Sequence, residues 1–270
     1  MSDDKILFDI NEGIATITIN RPEAMNSVTD EMLADFQNCV NQTIVDDTIR
    51  AVILTGMGRA FCAGTDVSSG IARNHAEAQR ERAQRVKPVE LPPSPLPAMW
   101  QLTRIPKPTI AAVNGAAVGM GVEWTAQCDF RIASKKARFG WVFPLRAISP
   151  DTGAGPYLLP HIVGLPKALE LMYSGDIIDA AEAERIGLVT QVVPDDQLLP
   201  TAHTFAQRMT AGAPMAIKAA KELAYSGLEL PFDEFGRMKT KALETTSTSE
   251  DAKEGVASFL EKRTPVWRGR

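Results

Sequence analysis

Two short stretches of this chain carry the residue types that catalysis by backbone amides requires. The first, Arg59-Ala60-Phe61-Cys62-Ala63-Gly64-Thr65-Asp66, follows the apolar run Ala51-Val52-Ile53-Leu54-Thr55. The second, Asn114-Gly115-Ala116-Ala117-Val118-Gly119-Met120-Gly121, follows the apolar run Thr109 to Val113 and leads into Val122 to Cys128, which reads as a helix. Glycine lets a backbone come close to a ligand, and the first amides of a helix have no intrahelical acceptor, so they can donate to an oxyanion. Two such turns could each aim one N–H at the same carbonyl oxygen, which is the geometry of an oxyanion hole. Either turn alone is more often structural punctuation, and Asn114-Gly115 is a turn dipeptide whose residues tolerate positive φ. Glu123 falls in the first turn of the helix, where the macrodipole alone accounts for an acid.

The elements that must position these turns are regular on either side. Ile6 to Ile10 and Ile14 to Ile19 are β-rich runs separated by Asn11-Glu12-Gly13, a hairpin signal. Ser27 or Thr29 can cap a helix in which Met32, Phe36, Val40 and Ile44 recur every four residues. Strand Ala51 to Thr55 follows, so strand, helix and strand seed a crossover unit with a largely buried sheet. Asn74 to Val86 reads as a solvated helix, and the five prolines between Lys87 and Pro97 exclude regular structure. An insertion placed directly after a catalytic turn suits a substrate pocket and suits a surface loop equally. Phe130 to Ala133 and Ala137 to Phe139 are strand-like, Phe143 to Pro160 has no periodic pattern, and Asp179-x-x-Glu182 is a capping box for a helix ending near Gly187. Val189 to Val193 is a last short strand. From about Leu198 the pattern is helical, with breaks near Gly212-Ala213-Pro214, Gly227 to Pro231 and Thr245 to Ser249. These patterns predict an α/β core over residues 1–197 and a C-terminal helical region over 198–270.

Composition bounds the function classes. A chain of 270 residues with 44% hydrophobic and 23% charged residues has the make-up of a globular protein of one large domain, or one domain plus a helical extension. No window approaches the roughly 18 apolar residues of a membrane span, and Met1-Ser2-Asp3-Asp4-Lys5 does not open a secretory signal, so a cytoplasmic location is expected. Cys39, Cys62 and Cys128 have no metal spacing and read as reduced thiols. The net charge of −4 argues against broad nucleic-acid affinity. Gly119-Met120-Gly121 fails the dinucleotide fingerprint because Trp124 stands where a third glycine or alanine belongs. There is no Gly-x-Ser-x-Gly elbow, and His75, His161 and His203 are scattered without metal-ligand spacing.

Phe61-Cys62-Ala63-Gly64-Thr65-Asp66, taken together with Asn114 to Glu123, resembles the crotonase (enoyl-CoA hydratase/isomerase) superfamily, and the likeness runs from Asn20-Arg21-Pro22 to Phe259-Leu260-Glu261-Lys262-Arg263. The resemblance implies a spiral of β-β-α turns followed by helices that assemble the protein as a trimer or a dimer of trimers. Periodicity alone does not separate that spiral from an open doubly wound sheet. The implied substrate is an acyl-CoA thioester, with no other cofactor and no metal. The N–H groups of Thr65 and Met120 match the two oxyanion positions, and Glu123 matches the glutamate that orients water and acts as general acid/base in hydratases. Ala24, Met25, Ala63 and Asp66 fall in or beside the loop that touches coenzyme A. Val118, Gly119 and Phe143 border the acyl group, and Lys262 matches a lysine that contacts the CoA phosphates, although a solvated charge explains it as well. The basic run Arg73, Arg80, Arg82, Arg85 and Lys87 reads first as a solvated face and second as a phosphate contact.

The chain departs from the hydratase pattern at Phe143, where hydratases carry a second glutamate. Asp151, eight residues later, matches an aspartate used by other branches of the superfamily, and it is also a natural turn residue after Pro150. A Glu123/Asp151 pair facing an unsaturated thioester could add water or shift a double bond, because both reactions pass through the same enolate. Hydration of a 2-enoyl-CoA is the leading expectation and enoyl-CoA or dienoyl-CoA isomerisation the alternative. A non-catalytic module that binds CoA or RNA is the reading from another class, and the acidic balance and both retained carboxylates speak against it.

Overall fold

The computed structural model describes residues 4–66, 75–96, 100–150 and 152–270, without the side chains of 75–79. Strands β1 (Ile6–Asn11) and β2 (Ile14–Ile19) form the expected antiparallel hairpin. Helix α1 (Asp30–Val45) follows, capped by Thr29, whose hydroxyl accepts the Met32 N–H. Its buried face includes Met32, Phe36, Val40 and Ile44, the period-four residues of the sequence. Strand β3 (Ala51–Gly56) then pairs parallel with β2. Its first five residues are buried because both faces of the sheet are covered.

Two sheets organise the rest. The larger has the order β1-β2-β3-β5-β7-β10, with β5 (Thr109–Val113), β7 (Phe130–Ser134) and β10 (Gln191–Val193) added in parallel. The smaller runs β4-β6-β8-β9, built from three-residue strands: β4 (Ala60–Cys62), β6 (Ala116–Val118), β8 (Arg138–Gly140) and β9 (Ile177–Asp179). Strands β3, β5 and β7 of the first sheet each lead into a short strand of the second (β4, β6 and β8), and the chain winds as a spiral. Reading Ala60-Phe61-Cys62 as turn residues missed β4, since three residues are too few to show a period-two pattern. Helix α2 (His75–Arg85) lies where a solvated helix was expected, and Arg85 pairs with Glu31 of α1 across 2.9 Å. Arg73 lies outside the described residues.

Helix α3 (Met120–Gln127) begins two residues earlier than its apolar run suggests, and Gly121 makes that start possible. A Cβ on Gly121 would stand 2.2 Å from the Cys62 carbonyl oxygen, so the first turn of α3 rests directly on the end of β4. The other end of α3 is held by Arg131, a fully buried guanidinium on β7 that donates to the carbonyls of Thr125 and Cys128 at 3.0 and 2.7 Å. A buried cation on those carbonyls complements the negative end of the helix dipole. Asn114-Gly115 tolerates positive φ but does not use it. The Asn114 side chain instead braces the turn between β3 and β4, donating to the carbonyls of Gly58 and Ala60 and accepting the Gly56 N–H. Gly115 is required because a Cβ there would stand 2.1 Å from the Arg59 carbonyl oxygen.

The aperiodic stretch after β8 forms a short 3-10 helix, Phe143–Arg146, and then α4 (Ala154–Val163). Pro156 and Pro160 inside α4 hid it from a propensity reading. Helices α5 (Leu165–Ser174) and α6 (Ala180–Arg185) follow, and the Asp179 carboxylate caps α6 by accepting the Glu182 N–H. The reciprocal half of the capping box is replaced by a Glu182–Arg185 ion pair. Helix α7 (Leu198–Met209) lays Leu198, Ala202, Phe205 and Ala206 against Ile53, Ile110 and Ile132 on one face of the large sheet. Helix α8 (Pro214–Ser226) is tied to the sheet through Asp129, which accepts from Lys221 Nζ at 2.8 Å and from Tyr225 Oη at 3.0 Å. Burial and the neighbouring Asp129 carboxylate both hold the Tyr225 phenol protonated. Helices α9 (Phe232–Ser247) and α10 (Glu250–Glu261) complete the chain, and the final carbonyl of Arg270 folds back to accept the Glu250 N–H at the start of α10. Cys39, Cys62 and Cys128 form no disulfide with one another, and burial pushes the Cys128 thiol up to about 12, so it stays protonated.

The two alanine substitutions Gly121→Ala and Gly236→Ala should act in opposite directions. The first forces α3 away from β4 and should cost about 2 kcal/mol, a fall in melting temperature of roughly 4–8 °C. At Gly236, inside α9, an added Cβ meets nothing within 4 Å, so the better helix former should raise stability by about 0.5–1 kcal/mol. Thermal unfolding followed by circular dichroism checks both.

Candidate active site

The two glycine turns meet at the carboxyl ends of β4 and β6. Gly64 adopts φ +102° and Gly119 φ +57°, conformations that side chains rarely tolerate. A Cβ on Gly64 would stand 3.1 Å from the Val118 carbonyl oxygen and 3.7 Å from both the Gly119 Cα and the Met120 N, so the two backbones are in van der Waals contact. Thr65 forms a parallel bridge with Val28, but that bridge uses the Gly64 carbonyl and the Asp66 N–H and passes over the Thr65 N–H. Met120 is the first residue of α3, where an intrahelical acceptor does not exist. Among the described residues, neither the Thr65 nor the Met120 N–H has a hydrogen-bond acceptor. Two unengaged amide donors on touching turns are the parts from which an oxyanion site is made.

Glu123, one turn into α3, is fully buried at 0% exposure. Its Oε1 accepts the indole Nε1–H of Trp141 and the backbone N–H of Gly155, each at 2.8 Å. Its Oε2 accepts the Thr152 hydroxyl at 2.7 Å. That hydroxyl accepts the Ala154 N–H in turn at 3.3 Å, which orients its proton toward the carboxylate. Hydrogen bonds to the ionised form are what permit a carboxylate to be buried. Gly155 is a close-approach glycine: a Cβ there would stand 2.3 Å from Glu123 Oε1 and 2.6 Å from Trp141 Nε1.

The loop before α1 is braced beside the first turn. Met25 and Asn26 both take left-handed conformations, φ +55° and +57°, a strained pair for residues with side chains. The buried Asn26 amide offsets that strain by donating to the carbonyls of Met57 and Ala60, while its oxygen accepts the Arg21 N–H. The Met25 carbonyl accepts the Ala63 N–H at 3.0 Å, and Arg21 donates to Asp66 Oδ2 at 2.5 Å. Ala24, Met25, Ala63 and Asp66 are thus brought together next to Thr65, Val118, Gly119, Met120 and Glu123. Phe143 is buried and, with Trp141, lines an apolar cavity of about 310 Å³ whose outer wall includes Leu165, Leu169, Met172 and Tyr173. Lys262 is exposed at the C-terminal cap of α10, with no side-chain hydrogen bond or ion pair among the described residues. Asp151 lies outside the described residues.

The enoyl-CoA hydratase/isomerase family profile matches residues 9–270. The chain belongs to this family, also called the crotonase superfamily. It is 34% identical over 265 residues to 1,2-epoxyphenylacetyl-CoA isomerase of Escherichia coli K12, covering 98% of both proteins. It is 34% identical over 264 residues to crotonyl-CoA hydratase of Syntrophomonas wolfei, covering 97% of both. The crystal structure of an enoyl-CoA hydratase from Bacillus anthracis superposes with a TM-score of 0.87 at 33% identity, over 99% of this chain and 100% of that one. The crotonase fold and a family activity on acyl-CoA thioesters follow. Trp141, Thr152 and Gly155, which surround Glu123, leave no periodic signal in the sequence because they lie in or beside its aperiodic stretch. A glycine inside the first turn of a helix, where it is unfavourable, was the one available signal for Gly155.

Gly155→Ala should push the Glu123 carboxylate out of place and lower turnover of an acyl-CoA substrate by about a hundredfold, the scale of a 1 Å misplacement. Steady-state kinetics beside a melting curve checks this, since the turnover loss should far exceed the stability loss.

Proposed function

We propose that the protein adds water across the double bond of a 2-enoyl-CoA thioester. The thioester oxygen is placed between the N–H groups of Thr65 and Met120, where each donor is worth roughly 3 kcal/mol as the oxygen gains enolate charge. Glu123 draws a proton from water as the water oxygen attacks the β-carbon. Protonation of the α-carbon then completes a 3-hydroxyacyl-CoA, with Asp151, next to Thr152 in the chain, as the candidate donor. Ala24, Met25, Ala63, Asp66 and Lys262 are assigned to coenzyme A, and Val118, Gly119 and Phe143 to the acyl group. The observation that carries this reading is the buried Glu123 carboxylate, oriented by Trp141, Gly155 and Thr152 one helical turn from the unengaged Met120 amide. A binding module has no need to bury and orient an acid in this way, so a catalytic role is favoured over a non-catalytic one.

Phe143 favours a second reading. Phenylalanine transfers no proton, so the residue that stands in place of the hydratase glutamate cannot hold or ionise water. A single carboxylate moving a proton along the acyl chain accomplishes isomerisation of an enoyl-CoA or dienoyl-CoA without that second acid. Relatives named as hydratases and as an isomerase stand at the same identity, so similarity does not choose between the reactions.

A homo-oligomer, trimeric or a dimer of trimers, is part of the same proposal, with the helices after residue 197 as its assembly region. Phe232, Phe259 and Leu260 on α9 and α10 are 88%, 82% and 73% exposed, a degree of apolar exposure that a second copy would remove. Among the described residues no helix is long and apolar enough to cross a membrane.

Loss of the conjugated-enoyl absorbance of crotonyl-CoA tests hydration directly. The wild type should bleach it, and Glu123→Gln should reduce the rate by at least about a hundredfold. An unchanged spectrum with wild type, together with formation of 2-enoyl-CoA from 3-enoyl-CoA, would replace hydration by isomerisation.

A further inference from the structure

We propose that Trp141 is a positioning residue for the reaction, holding Glu123 so that Oε2 and not Oε1 exchanges the proton. The inference rests on the reading of Glu123 as the acid/base. A carboxylate oxygen has two in-plane lone-pair directions, and both on Glu123 Oε1 are occupied, by the Trp141 Nε1–H and the Gly155 N–H, each at 2.8 Å. A proton arriving from substrate or water therefore goes to Oε2, the oxygen on the Thr152 side. The two donors differ in kind. The Gly155 N–H is a main-chain group fixed at the start of α4, whereas the indole N–H belongs to a residue that also lines the apolar cavity beside Phe143.

Three features fit Trp141 to this task. Its ring is completely buried, so the N–H cannot be satisfied by water and would be left unpaired if Glu123 turned away. Gly155 has no Cβ, and one there would stand 2.6 Å from Trp141 Nε1, so the indole, the glycine and the carboxylate interlock. Trp141, with Phe143, also lines the 310 Å³ cavity, so a group filling that cavity would bear on the residue that fixes the acid. The hydrogen bond also favours ionised Glu123, because both of its Oε1 partners donate to the charged form. Removing the indole donor should raise the pH below which a general base loses activity.

The test is Trp141→Phe, assayed across pH with an acyl-CoA substrate that the wild type turns over. We expect kcat to fall about tenfold, the effect of one hydrogen bond to a charged group. The Michaelis constant should stay within about twofold because the thioester amides and CoA loop are untouched, and the acid limb of kcat/KM should move up by about one pH unit. If Trp141→Phe does not fold, the isosteric β-(3-benzothienyl)alanine at position 141 replaces N–H by sulfur without changing ring shape and should give the same three results. Wild-type kcat and an unmoved acid limb in a folded variant, with Glu123→Gln inactive, would overturn the role of Trp141 alone. Full activity in Glu123→Gln would overturn the underlying reading of Glu123.

Discussion

The contact between Gly64 and Gly119 is the constraint on which the rest of the molecule depends. Two amide donors can share one oxygen only if their turns touch, and these turns touch because Gly64 has no Cβ, which would stand 3.1 Å from the Val118 carbonyl oxygen, and because both glycines take positive φ. Chain segments that far apart in sequence do not stay in contact unaided. The second sheet supplies the alignment, since β4 and β6 pair in parallel and their ends deliver the two turns side by side. The first sheet supplies rigidity, since β3 and β5 pair in parallel immediately upstream. The paired sheets of the spiral thus hold the two glycine turns in contact.

Helix α3 adds the second requirement, an acid at a fixed distance from those amides. Its N-terminus offers the Met120 N–H and its first turn carries Glu123, so a single rigid element sets their separation. Gly121 seats the helix on β4, and Arg131 closes its far end from inside the core. The buried carboxylate then needs partners, which come from a different part of the chain: Trp141 after β8, and Thr152 and Gly155 around the start of α4. Stability and chemistry meet there, because the donors that make burial of Glu123 tolerable also fix which of its oxygens is presented.

Much of the fold was legible in the sequence. The apolar runs gave β1, β2, β3 and β5 nearly residue by residue, and the period-four face of α1 and the cap at Asp179 were plain. The two glycine turns and Glu123 were legible as well, through residue type and spacing and through their resemblance to crotonases. Of the three-residue strands of the second sheet, only β8 was anticipated, by Ala137 to Phe139, and β4, β6 and β9 were not, since so short a strand leaves no alternation to read. Neither were the partners of Glu123, because a tryptophan donor and a close-approach glycine leave no periodic signature. Asn114-Gly115 tolerates positive φ, yet the conformation occurs at Gly64 and Gly119. Asn114 works through its side chain and Gly115 through lack of a Cβ, and turn propensity does not distinguish these reasons.

The central claim is that the Thr65 and Met120 amides and the Glu123 carboxylate act on one thioester to make an enolate. Exchange of the α-protons of a saturated acyl-CoA in D₂O, followed by proton NMR, tests it most directly, because no double bond, water addition or isomerisation is involved. The account predicts that the wild-type protein exchanges α-protons for deuterium and that Glu123→Gln binds the same thioester without exchanging them. Tight binding with no exchange by the wild type, or equal exchange by Glu123→Gln, would contradict it.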